Sequence, residues 1–326
     1  MALYIGIDGG ASSTRGVLID ESGNTLNKFI LNQGSNLKVY EDLAPKRIIE
    51  LINKLCNDIN LSTDDISAFG LGLAAVSCDK GRELLFKELD RINISDKTIL
   101  INDAEAAYRV SCQENVGVLV TVGTGVICIG RSSNGNFFRR AGKGHDAEDI
   151  GSGYWIGKEA FLKLALNEAL IEHDPNLLEI RDIIFTKYKK DNFNDVLEYI
   201  SEHDDTLSLK ASIAKDIISI SNTNKIALKI IQEATFNVAD YIINLVQMLD
   251  YKDSDNLVLF GNGSVINSPI YRSSLNDALS FHYPEVNWIF SKISASYGSA
   301  MIAAFSKDKI SINVKDILKG AYLASS

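Results

Sequence analysis

The stretch LYIGIDGGASST, residues 3–14, runs from an apolar strand into an acidic, glycine-rich turn, and a second apolar run follows at once at 16–19. Short apolar runs separated by small and polar residues are the mark of strands joined by tight turns. A third run at 26–31 lies beyond the turn ESGN, residues 21–24, so three consecutive strands are expected. Helical spacing at 43–59, a strand at 68–73, a helix near 82–90 and a strand at 98–101 extend this into an alternating α/β layer.

The same grammar restarts at Val116. GVLVTV, residues 117–122, enters the turn GTG, residues 123–125, and further strands are expected at 125–130 and around Phe137 and Phe138. Two copies of strand, glycine-rich turn, strand, turn, strand imply two α/β domains with a cleft between them. The expected division is 1–115 and 116–304, with a C-terminal helix at about 305–326 packing back on the first domain. Residues 154–249 are mainly helical in period and read as an elaboration of the second domain, before a strand at 257–260. With only four prolines and no low-complexity linker, any hinge is expected at the ends of elements.

At 326 residues, 46% hydrophobic and 23% charged, the chain has the balance of a globular protein with a sizeable interior. Its formal charge of -9 opposes nucleic acid and anionic membrane surfaces, so an anionic ligand needs backbone amides and a divalent cation. Cys56, Cys78, Cys112 and Cys128 form no CxxC pair, which suggests neither a zinc site nor a disulfide framework. No leader-like segment opens the sequence and no apolar run reaches the roughly 20 residues of a membrane helix. A soluble, cytoplasmic protein with reduced thiols is the expectation.

Three glycine turns carry the candidate chemistry. In the first, Gly9 and Gly10 let backbone approach a phosphate, Ser12, Ser13 and Thr14 add hydroxyls, and Asp8 at the strand end suits a hydrated Mg2+. A plain β-hairpin turn explains the same residues equally well. The second turn offers Gly123, Thr124 and Gly125. The third, Gly261 to Ser264 with Gly263 between, follows a strand and precedes a helix, where nucleotide and backbone meet closely. Three such turns at strand ends are hard to explain independently. Asp103, directly after the strand at 98–101, is the candidate catalytic base for a substrate hydroxyl; the competing reading makes it the N-cap of a helix at 104–110.

In this order, the motifs resemble those of the sugar-kinase, heat-shock-70 and actin superfamily of ATP-binding proteins. Within it they are most similar to the N-acetylglucosamine kinase group of the BadF/BadG/BcrA/BcrD ATPase family, over residues 4–305. The family's DGGGTKT or DGGGSKT phosphate motif matches DGGASST, residues 8–14, with alanine for a glycine and serine for the lysine. The resemblance implies two ribonuclease-H-like (actin-like ATPase) domains, ATP and Mg2+ as cofactors, and Asp103 and Thr124 as catalytic and phosphate-gripping residues. It also implies sugar contacts at Asn36, Gly142, His145 and Asp149, the last in DIGSGYW, residues 149–155. Lys143, His145 and Ile150 depart from the family pattern and leave room for a larger or charged substituent. SYGSA, residues 296–300, is similar to a connecting motif of small residues that let helices cross closely.

The activity so implied is an ATP-dependent kinase acting on a hydroxyl, the 6-hydroxyl, of an amino sugar, most nearly N-acetylglucosamine, in a homodimer. Glucosamine and N-acetylmuramic acid are alternative substrates. An ATPase or activator acting on a protein partner is the alternative class, but Cys112 and Cys128 do not match the cysteine pattern with which such activators hold an iron–sulfur cluster. The cysteine-rich zinc motif of ROK sugar kinases is not present in the sequence either.

Overall fold

The computed structural model describes residues 1–112, 117–142, 144, 149–203, 205–249 and 256–323. They form two compact units, residues 1–115 with 291–326 and residues 116–290.

The first unit opens with β1 (Leu3–Gly9), β2 (Thr14–Asp20) and β3 (Thr25–Leu31), followed by α1 (Leu43–Asn57), β4 (Ala68–Leu73), α2 (Asp79–Arg91), β5 (Thr98–Asn102) and α3 (Asp103–Ser111). The sheet order is β3-β2-β1-β4-β5; β1 pairs antiparallel with β2 and parallel with β4, and β4 parallel with β5. Central β1 is buried on both faces, so its alternation separates two cores. Ile5 and Ile7 pack with Leu18 and with Ile48, Leu51, Ile52 and Leu55 of α1. Those four α1 residues repeat at i, i+3, i+4 and i+7, and burying them contributes about 6–12 kcal/mol. Tyr4 faces the other way and joins Val17, Ile19 and Ala68.

The second unit repeats the plan with β6 (Gly117–Val122), β7 (Val126–Arg131) and β8 (Phe137–Ala141). Six helices follow: α4 (Gly153–Leu166), α5 (Pro175–Tyr188), α6 (Phe193–Ser201), α7 (Thr206–Ala211), α8 (Ala214–Ile220) and α9 (Lys225–Met248). Then come β9 (Asn256–Asn262), α10 (Pro269–Leu279) and β10 (Glu285–Phe290). The sheet order β10-β9-β6-β7-β8 is that of the first sheet read from its other edge, with the same antiparallel and parallel pairs. The internal repeat read from the sequence is therefore a repeat of topology. Two such mixed sheets with helices are the ribonuclease-H-like, actin-like ATPase fold expected. The helical stretch resolves into separate helices around the long α9, whose N-cap Asn224 accepts the amides of Ile226 and Ala227 at 3.0 and 2.9 Å.

The chain rejoins the first unit at Ser291, earlier than the expected boundary near residue 305, through α11 (Ala295–Asp308) and α12 (Val314–Leu323). The reason for this correction is packing. A Cβ on Gly6 or Gly70 would lie 2.0 Å from the carbonyl oxygen of Ser296 or Ser299, and one on Gly298 would lie 2.0 Å from that of Ala106. Glycines on β1, β4 and α11 thus let the helix settle onto the sheet and against α3, and Ser299 Oγ donates to the Ile7 carbonyl at 2.8 Å. Among the described residues no helix is long and apolar enough to cross a membrane.

Candidate active site

Gly9, Leu73 and Asn102 are register partners across β1, β4 and β5. Residues leaving these strands therefore emerge together at their carboxyl ends, where open α/β sheets bind ligands. Asp8 precedes that end of β1, and Asp103 begins α3 beyond β5. Asn102 caps the helix, its side chain accepting the Ala104 amide at 3.0 Å, and Asp103 Oδ1 accepts the same amide at 2.9 Å. Capping is thus Asn102's role, which leaves Asp103 Oδ2 available to a substrate.

Asp8 senses the charge of Asp103. Burial, then the negative charge of Asp103, pushes Asp8 up to about 7, against the pull of Arg15. Arg15 Nη1 lies 3.6 Å from Asp8 Oδ2, and the Asp8 side chain is only 16% exposed. Burial raises Asp103 to about 6, opposed by backbone amides and reinforced by Glu105. Carboxyls held near neutrality can both take and return a proton under physiological conditions, the property general acid–base chemistry needs.

Beside them the turn after β1 closes with Gly10 N donating to Ser13 O at 3.2 Å. A Cβ on Gly10 would meet nothing nearer than 3.9 Å, so this backbone faces open space and can cradle an anion; Ser12 is exposed and Ser13 half-buried. Gly9 serves packing instead: a Cβ there would lie 2.1 Å from Ser35 Oγ. Thr14, expected at the phosphates, is fully buried, its hydroxyl donating to Gln33 O at 2.8 Å and hydrogen-bonded to Ser35 Oγ at 2.9 Å. It locks the turn and is not free to grip a ligand. Asn36 follows Ser35 on the loop after β3; its Oδ1 accepts the amides of Lys38 and Val39 at 2.9 and 3.2 Å, which leaves the side-chain NH2 to donate.

The second unit gathers its own set. Between β6 and β7, Gly123 N donates to Gly125 O at 2.9 Å. The first amides of α4 hold this turn, Gly153 N donating to Gly123 O at 2.7 Å and Tyr154 N to Thr124 O at 3.1 Å. The Thr124 hydroxyl has no partner among the described residues. Asp149 is buried against the same turn, with Oδ1 accepting the Val126 amide at 3.4 Å. After β9, Gly263 adopts φ 103, and a Cβ there would lie 2.5 Å from Val122 O. This close approach sets exposed Ser264 next to Gly123, whose own missing Cβ would lie 3.9 Å from Ser264 N. Gly261 is buried, and a Cβ there would lie 2.2 Å from the Phe290 ring, so its lack of a side chain serves packing. Gly142 follows β8 with φ 73. His145 and Lys143 lie outside the described residues.

Reading the sequence missed Arg15 and Ser35. Arg15 is the register partner of Asp8 in the first hairpin, a pairing that strand alternation alone could have suggested. Ser35 carries no local signal, because its value comes from the turn it touches.

The chain belongs to the BadF/BadG/BcrA/BcrD ATPase family, whose model matches residues 5–304. An N-acetylmuramic acid/N-acetylglucosamine kinase of Clostridium acetobutylicum is 28% identical over 306 residues, covering 93% of this chain and 98% of the relative. An N-acetyl-D-glucosamine kinase of Dictyostelium discoideum is 25% identical over 327 residues, covering 94% and 98%. The fold is similar to that of a candidate N-acetylglucosamine kinase from Chromobacterium violaceum, with TM-score 0.72, 18% identity and coverage of 93% and 99%.

Proposed function

We propose that this protein transfers the γ-phosphoryl group of ATP to the 6-hydroxyl of an amino sugar, N-acetylglucosamine before others. The observation that carries the reading is Asp103: a carboxyl raised to about 6, anchored through Oδ1 to a helix amide, at the carboxyl ends of parallel strands beside an open glycine turn. The names of the Clostridium and Dictyostelium relatives support the substrate class, and the former keeps N-acetylmuramic acid in view.

In this mechanism the sugar hydroxyl oxygen forms the new bond to γ-phosphorus, the bond from γ-phosphorus to the bridging oxygen breaks, and ADP leaves with that electron pair. The hydroxyl proton passes to Asp103 Oδ2. Phosphoryl transfer asks a protein chiefly for positioning and charge stabilisation. Backbone at Gly10, Ser12 and Ser13 in one unit, and at Gly123, Thr124, Gly125, Gly263 and Ser264 in the other, would bind phosphate and nucleoside. Asn36 and Asp149 would meet sugar hydroxyls. The partly exposed Asp8 carboxylate suits a cation reached through water, and Mg2+ bound there would neutralise charge on the phosphates.

Activator chemistry fits less well, because the Cys112 and Cys128 thiols are buried and burial pushes Cys128 up to about 12. Thiols so protonated are poor ligands for a shared cluster. The homodimer belongs to the same proposal and is read by light scattering. The deciding assay couples ADP release to Mg-ATP and N-acetylglucosamine, N-acetylmuramic acid, glucosamine or glucose. Release that requires one amino sugar and collapses in Asp103→Asn is expected; ATP binding without any sugar-dependent release overturns the reading.

A further inference from the structure

Two buried hydroxyls in the first unit do no chemistry in the mechanism above, yet they tie its proposed sugar loop to its proposed phosphate turn. Thr14 and Ser35 are both 0% exposed, and hydroxyls so buried are costly unless bonded. Theirs are bonded across the two segments, at 2.9 Å. Around this pair the segments are laced together. Ser35 N donates to Gly10 O at 3.0 Å and Tyr40 Oη donates to Ala11 O at 2.6 Å, while Arg47 of α1 holds the loop by donating to Gly34 O. A Cβ on Gly34 would fall 1.9 Å from Ala11 O, so there is no slack between them. Asn36 is the next residue after Ser35, and its own side chain is pinned to the Lys38 and Val39 amides. A shift of the loop at Asn36 must therefore move Gly10 and Ala11 of the turn.

We propose that the Thr14–Ser35 hydroxyl pair is a positioning device that couples the two substrates. A sugar held at Asn36 fixes the loop, the loop through Ser35 and Thr14 fixes the turn at 9–13, and the turn then presents its amides to phosphate in one geometry. The inference rests on the kinase reading. Both hydroxyls are fully buried and bonded to each other. Because coupling between sites is reciprocal, nucleotide must tighten sugar binding by the same factor.

The test is calorimetric titration of the whole protein with the Mg2+ complex of a non-hydrolysable ATP analogue, with and without saturating N-acetylglucosamine or N-acetylmuramic acid. Sugar is expected to tighten nucleotide binding in the wild type by about fivefold or more. Thr14→Val and Ser35→Ala are expected to bind each ligand alone but to lose the coupling, whereas Thr14→Ser, which keeps the hydroxyl, retains it. A change in packing alone would not follow the hydroxyl in this way. If Thr14→Val does not fold, Ser35→Ala, which removes a single oxygen, decides. Wild-type coupling in Ser35→Ala, or its absence from the wild type while both ligands bind, overturns the inference and spares the kinase reading. Failure of these two sugars and of glucosamine to bind overturns the two together.

Discussion

Asp103→Asn is the perturbation that separates a base from a bystander, because it changes stability and turnover in opposite directions. The rise of Asp103 from an ordinary 3.8 to about 6 means that ionising it in the fold costs up to about 3 kcal/mol. Asp103 is partly exposed, so screening trims this to about 1–2 kcal/mol. The sign follows from a folded pKa above the unfolded one: the fold holds the proton more tightly, so the penalty is absent below about pH 4, grows between about 4 and 6, and is complete above. Asparagine carries no charge, and its carbonyl can still accept the Ala104 amide. Thermal melts should therefore show the variant more stable than wild type near neutrality and equal to it at about pH 4. Sugar-dependent ADP release should fall about 10²–10⁴-fold. A variant that keeps a tenth of wild-type turnover, or is destabilised at neutral pH, refutes the reasoning.

Removing the Arg15 charge beside Asp8 should raise Asp8 further, so Arg15→Gln is expected to move upward by about half a pH unit the acid limb of the kcat/KM profile that ionisation of Asp8 sets; an unmoved limb shows the ion pair to be idle. Gly263→Ala forces a side chain into φ 103 and against Val122 O, and should cost about 2 kcal/mol or more in denaturant melts and weaken nucleotide binding. Gly70→Ala drives a methyl group into the Ser299 carbonyl, for about 3 kcal/mol of destabilisation measured the same way, with loss of the α11 contact.

Much of this was legible in the order of residues. Strand alternation, turn glycines and the helical period of 43–59 are local properties, since backbone geometry repeats within a few residues and burial follows the repeat. The two copies of the strand-turn-strand unit needed nothing beyond that, and neither did the position of Asp103 at a strand end. The roles of individual turn residues were less legible. Gly9, Gly10 and Gly261 look alike in sequence, yet only Gly10 faces open space, while Ser35 and the Phe290 ring fill the places beside the other two.

By itself, the sequence determined the α/β class, the internal repeat and the placement of three glycine turns at strand ends, because each of these is written in neighbouring residues. The tertiary structure alone decided that Thr14 is a lock, that Arg15 faces Asp8, that α11 belongs to the first unit, and that burial raises Asp8 and Asp103 well above ordinary carboxyls. Those outcomes depend on which distant groups exclude water from a side chain and which charges lie beside it, and no local pattern encodes either.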